Sequence, residues 1–155
     1  MATQVPPRGI RNNNPLNLRK TADKWQGLRT EQNDPDFCQF ISVWYGIRAA
    51  FICMKNHVKR DSKALIRTTV KREISRWAPP TENNTAAYIQ AVCNKANILD
   101  DCLVDFSKKN LVCRILWAMS YVENGQDLPF NYFETAYEMA FNPAYCTNAG
   151  VQLPR

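Results

Sequence analysis

The sequence contains one histidine and no closely spaced pair of cysteines, which argues against a bound metal. The six cysteines are Cys38, Cys53, Cys93, Cys102, Cys113 and Cys146. None forms a CxxC pair or has metal-ligand spacing, and His57 does not complete a zinc set with them. We therefore expect no metal and no cofactor. Free buried thiols are the default, although an oxidising compartment would permit disulfides of unpredictable pairing.

The chain also lacks an apolar run long enough to cross a bilayer, and it has no internal repeat or low-complexity tract. Its first residues, MATQVPPRGIR, contain no apolar core of a secretory signal. The sequence thus predicts synthesis in the cytoplasm without a signal peptide. Action outside the cytoplasm would then require delivery by another component.

The 155 residues are enough for one domain with a real core. We expect a single domain over 1–155, with an N-terminal arm at 1–7 and an irregular tail at 142–155. The net charge of +6 favours an anionic partner such as nucleic acid, a membrane surface or an acidic wall polymer. Because the basic residues are spread along the chain, nucleic acid is the least favoured of these.

Apolar residues recur at helical spacing in several segments, which indicates a mostly α fold of the α+β type. Helices are predicted over 43–59, 62–77, 85–96, 108–125 and 132–141. The segments 25–27 and 34–40 are typical of a small two-stranded hairpin with Phe37 and Phe40 facing a core. The segment 8–19 is too rich in asparagine to predict a regular helix, and we expect an ordered loop there.

Glu123 occupies the most unusual position for a charged residue. It falls in the last turn of an apolar helix that Gly125 is expected to end. Unpaired carbonyl groups and apolar neighbours both disfavour a carboxylate there, so the pKa of Glu123 should be raised. This is the property of a general acid that protonates a leaving oxygen, although a solvated helix-end glutamate fits the same position.

Several motifs together give a family likeness that extends over residues 8–141. They are RGIRNNNPLNLR, WQG, DxxFxxF, GIRA, RWAPPxENNTxxY and AMxxxENG. In this order they resemble small phage-associated, lysozyme-like proteins described as virion or peptidoglycan-degrading proteins. Leu16 departs from the expected glycine of the first motif.

The Met119–Gly125 end of the helix is also similar to the catalytic helix of goose-type lysozymes and lytic transglycosylases. In those enzymes an Asn-containing loop and a hairpin follow the glutamate, whereas here the matching segments come first. The resemblance therefore implies a lysozyme-like fold that is circularly permuted. The permutation requires Glu123 to lie near residues 12–17.

The resemblance implies a peptidoglycan-cleaving enzyme, either a lytic transglycosylase or a muramidase, with Glu123 as general acid/base. Its partners would be glycan strands and other virion proteins. The substrate-binding candidates are Asn12, Asn13, Asn14, Asn17, Trp25, Asn84, Thr85 and Tyr88. The alternative is a virion structural or wall-binding protein that keeps the fold without turnover.

A hydrolase of the inverting type needs a second carboxylate to activate water, whereas a lytic transglycosylase manages with one. The candidates are Glu31, Asp34 and Glu82, with Asp36 beside them. Asp34 precedes a proline as turn residues do, and Glu82 is placed as a first-turn helix residue would be. The choice between the two reactions stays open at this point.

Overall fold

A computed structural model describes residues 5 to 147, and this part of the chain is mostly helical, as predicted. The helices are α1 (Arg8–Arg11), α2 (Val43–Lys63), α3 (Val70–Trp77), α4 (Thr85–Ala96), α5 (Lys109–Asn124), α6 (Phe130–Phe141) and α7 (Pro143–Thr147). α4 and α5 have the predicted bounds to within a residue. α5 ends at Gly125, whose φ of 68° is the left-handed conformation expected of a glycine after a helix.

Three helix boundaries differ from the prediction, and one of them is the start of α6, which lies at Phe130 instead of Tyr132. α2 continues to Lys63, and the next helix begins at Val70 instead of at Ser62. Thr69 sets this later start, because its side chain accepts a hydrogen bond from the Arg72 amide at the N-terminus of α3. The 8–19 segment also opens with one helical turn, α1, in which the Pro7 carbonyl accepts the amides of Ile10 and Arg11.

The expected hairpin is reduced to isolated antiparallel bridges, and the partners of the 34–40 segment lie outside the predicted first strand at 25–27. Arg19 pairs with Phe37, and Leu28 pairs with Phe40. Phe40 is fully buried as predicted, whereas Phe37 is only half-buried and carries the Arg8 and Arg19 guanidinium groups over its ring. The outer face of Phe37 therefore belongs to the surface instead of the core.

The buried side chains form one cluster around α5. α5 packs against α4 on one side and α6 on the other, and α6 also packs along α2. The apolar face of α5 includes Val112, Ile115, Leu116 and Met119, all almost fully buried. This packing fixes the C-terminal end of α5, where Glu123 lies.

The C-terminal segment was predicted to be irregular from residue 142, but Pro143–Thr147 form a helix. Residues 148–155 and the arm residues 1–4 lie outside the described part. The five cysteines described there, which are all except Cys146, are free thiols. Among residues 5–147, no helix is both long and apolar enough to cross a membrane.

Candidate active site around Glu123

Glu123 is half-buried at the end of α5 and is held by two neutral side chains. The Asn17 side-chain amide donates to one carboxyl oxygen at 2.7 Å, and the Tyr88 hydroxyl donates to the other at 2.8 Å. Burial raises the pKa of Glu123, while these two hydrogen bonds act in the opposite direction. The net shift of the Glu123 pKa is upward, as the sequence predicts, and burial is its main cause.

Tyr88 reaches Glu123 from the first turn of α4. The Asn84 side chain caps this helix by accepting the Ala87 amide at 3.2 Å, and the Thr85 hydroxyl donates to the Ala78 carbonyl at 2.6 Å. Burial, together with the nearby charge of Glu123, raises the pKa of Tyr88 well above its ordinary value. The phenol thus remains a donor to the Glu123 carboxylate. Asn84 and Thr85 position the helix that carries it.

Asn17 reaches Glu123 from the asparagine-rich loop, where its own φ is 52°. Two side chains fix this loop to the rest of the domain. The Asn124 amide donates to the Pro15 carbonyl at 2.8 Å, and the Trp77 indole donates to the Leu16 carbonyl at 3.1 Å. The residue after Glu123 therefore anchors the loop that contacts Glu123.

The other three asparagines of the loop are bonded to protein groups. Asn12 donates to Asp34, Asn13 to the Phe40 carbonyl, and Asn14 to the carbonyls of Leu18 and Cys38. Asn12 and Asn14 are buried. Of the four asparagines of this loop that were predicted to bind substrate, Asn17 is thus the one whose side chain reaches Glu123.

A cavity of about 390 Å³ opens beside Glu123. It is lined by Leu16, Asn17, Arg19, Phe37, Trp77, Ala78, Glu82, Asn83 and Glu123. A second cavity of about 380 Å³ shares Asn17, Arg19, Trp77 and Glu82 with the first and extends to Trp25 and His57. Because the two share a wall, we refer to them together as the cleft. Each cavity falls within the size range of a ligand-binding site.

The three candidates for a second carboxylate lie in different environments. Glu82 lines both cavities, is more than half exposed, and pairs with Arg19 at 3.4 Å. Glu31 is exposed and lines neither cavity. Glu82 is therefore the candidate that shares a cavity with Glu123.

Asp34 is buried beneath the hairpin instead of facing the cleft. Its oxygens accept hydrogen bonds from the Arg8 guanidinium, the Asn12 amide and the backbone amides of Asp36 and Phe37. The Arg8 contact, followed by the bonds from Asn12 and the backbone, holds the pKa of Asp34 well below its usual range. Asp34 thus ties α1 to the hairpin, and its lone pairs are occupied.

Among the residues that line the cleft, Arg19, Phe37 and Asn83 were not identified as site residues from the sequence, nor was Asn124, which anchors the Asn17 loop. Trp77 and Asn83 fall within the WAPPTENNT stretch, and Asn124 within the ENG motif, so the motifs indicated them in principle. Trp25, the predicted sugar-stacking residue, is half-buried in the wall of the second cavity. Among the described residues there is no cluster of histidine, cysteine and acidic side chains that would hold a metal ion.

No protein-family model matches the chain. A phage protein is nevertheless similar over most of its length: the sequence is 32% identical over 130 residues to Protein P5 of Pseudoalteromonas phage PM2. The alignment covers 82% of this chain and 76% of the phage protein. The chain therefore belongs to the same family as Protein P5 of phage PM2.

Proposed function

We propose that the protein cleaves the glycan strands of peptidoglycan, with Glu123 as general acid/base. The observation that carries the proposal is a half-buried carboxylic acid with a raised pKa in the wall of an extended cleft, bound by two neutral donors. A carboxyl group in this state retains its proton closer to neutral pH than an exposed one does. It can then transfer that proton to a glycosidic oxygen.

In the proposed reaction, Glu123 protonates the leaving oxygen while the bond from that oxygen to the anomeric carbon breaks. The carboxylate then takes a proton from the group that attacks the anomeric carbon, which restores the acid. Asn17 and Tyr88 stabilise the carboxylate between the two steps, since both donate to it. They also fix its orientation towards the cavity.

The attacking group is either water or a hydroxyl of the substrate. Glu82 is the candidate carboxylate beside the same cavity, but it is solvent-exposed and paired with Arg19. Neither of the other two predicted second carboxylates, Glu31 and Asp34, lines that cavity. The site therefore favours a lytic transglycosylase, in which the sugar's own hydroxyl attacks and an anhydro product forms.

The contact between Asn17 and Glu123 supports the circular permutation, because it joins the N-terminal loop to the end of α5. We extend the proposal to virion association, since the related protein belongs to a phage. An enzyme carried in the particle would need no export signal of its own.

The test is clearing of purified peptidoglycan by the wild-type protein, by Glu123→Gln and by the matched control Glu82→Gln. Glu123→Gln should lose at least about a hundredfold in rate, because general acid catalysis contributes that much or more. Glu82→Gln should retain most activity if a transglycosylase is at work, and mass spectrometry should show anhydro ends. Equal clearing by wild type and Glu123→Gln would refute the assignment. A folded wild-type protein that binds the wall without clearing it would identify a non-catalytic wall-binding protein.

A further inference from the structure

The turn that follows α2 is the most exposed apolar feature of the described chain. Residues 62–67 are all exposed, and Leu65 retains 94% of its accessible surface. Ile66 beside it is 39% exposed. Neither side chain contributes to the core, so folding does not explain why this turn is apolar.

The backbone of this turn makes the leucine more unusual. The Leu65 amide donates to the Ser62 carbonyl, and the Ile66 amide donates to the Asp61 carbonyl, which is the Schellman pattern at a helix C-terminus. Leu65 occupies the left-handed position of that pattern with φ 61°. Glycine or asparagine is usual there, and the same chain has Asn97 after α4 and Gly125 after α5. A leucine at this position costs stability and gains no burial in return.

Four cations lie close in sequence to the two apolar residues: Lys59, Arg60, Lys63 and Arg67, all of them exposed. None of them forms an ion pair with any residue in the described range. Asp61, the acid within this segment, is buried and bound by Arg72 and Arg76, so it does not neutralise them. Two further exposed acids, Asp100 and Asp101, lie beyond Lys71, whose amide donates to the Asp100 carbonyl. The exposed positive charge is thus concentrated within residues 59–67.

We propose that residues 59–67 form a docking site for an anionic lipid surface. Leu65 and Ile66 would enter the boundary between headgroups and acyl chains, and the four cations would lie against the headgroup phosphates. Charge complementarity selects an anionic surface, and the exposed leucine selects a lipid over a purely ionic polymer, which offers no apolar interior. The turn is internally hydrogen-bonded, so it is already ordered before it meets the surface. This inference is independent of the reaction at Glu123.

The test is co-sedimentation of the full chain with vesicles of phosphatidylcholine alone, or with an equimolar share of phosphatidylglycerol. Binding should require the anionic lipid. Leu65→Asn should weaken it about tenfold, the order expected for losing one buried leucine side chain. The paired change Lys63→Gln with Arg67→Gln should weaken it by about fivefold for each cation.

The matched control is Ile41→Asn. Ile41 is 56% exposed but precedes the other end of α2, about 30 Å away along a helix of 21 residues. This variant should bind vesicles like the wild type. Leu65→Asn should melt at the same temperature as the wild type or higher, because asparagine tolerates the left-handed conformation, so misfolding does not account for its loss of binding.

Three results of the vesicle assay alone would overturn the proposal. They are absence of wild-type binding to the anionic vesicles, an equal loss in Ile41→Asn, or unchanged binding in Leu65→Asn. Duplex DNA that displaces the vesicles and binds Leu65→Asn as tightly as wild type would likewise overturn it, and would assign the surface to nucleic acid.

Discussion

Gly46 provides a way to move the Asn17 loop without touching any residue of the cleft. It lies in α2 against the turn at Asn13 and Asn14, and a Cβ atom placed on it would overlap the Asn13 carbonyl oxygen. The same Cβ would lie 3.1 Å from the Asn14 Cα. Gly46→Ala therefore forces two backbone segments apart by about 1 Å before ordinary packing distances return.

The loop is not free to absorb this displacement locally. The buried Asn14 side chain bonds to the backbone of Leu18 and Cys38, so the movement is transmitted along the loop towards Asn17. Overpacking of this kind costs about 1–3 kcal/mol of unfolding free energy. A misplacement of about 1 Å at a catalytic group can lower the rate roughly a hundredfold.

Urea unfolding measures the first effect, and peptidoglycan clearing measures the second. A carbon-13 NMR titration of the Glu123 carboxyl gives a readout that does not depend on catalysis. Losing the Asn17 hydrogen bond should raise the pKa of Glu123 further, because that bond stabilises the ionised form.

The matched control is Ile74→Val on α3, at a fully buried position where the loss of one methyl group costs about 0.5–1.5 kcal/mol. It should lower stability while leaving the Glu123 titration and the clearing rate unchanged. If Gly46→Ala is destabilised but titrates and clears like the wild type, the loop does not position Asn17 and the reasoning is wrong.

Two other perturbations test the electrostatics. Tyr88→Phe removes one hydrogen-bond donor to the Glu123 carboxylate, so the pKa of Glu123 should rise. The alkaline limb of the pH profile of peptidoglycan clearing should then move to higher pH. An unchanged midpoint in the NMR titration of Glu123 would contradict this expectation. Contacts with the Cys53 sulfur and the Glu73 carboxylate raise the pKa of His57 from 6.5 to about 9. The folded state thus binds this proton more tightly than the unfolded state does, and the stabilisation is complete below pH 6.5 and lost as pH rises through 9. In urea unfolding measured across that pH range, His57→Gln should have a lower free energy of unfolding than the wild type at the acidic end. Its free energy of unfolding should also fall less as the pH rises. The same pH dependence in the variant and the wild type would contradict the assignment.

The local pattern of the sequence determined the helices, because a buried helical face requires apolar residues at fixed spacing whatever it packs against. It also predicted the end of α5 at Gly125 and the unusual place of Glu123. The start of α3 was mispredicted because an apolar pattern continues through Leu65 and Ile66, which the fold leaves exposed. The Schellman turn that ends α2 depends on backbone hydrogen bonds, and side-chain periodicity does not report these.

Tertiary structure alone decided which polar residues meet. Asn17 and Glu123 are 106 positions apart, and their contact depends on how α4 and the N-terminal loop pack around the end of α5. Four asparagines close together in the sequence looked equivalent as ligands, yet the fold turns three of them to protein partners and one to Glu123. Asp34 and Glu82 were likewise indistinguishable as carboxylates until packing buried the first against Arg8 and left the second in the cleft. Apolar periodicity indicates the buried face of most helices, but the partner of each polar group depends on contacts between distant segments.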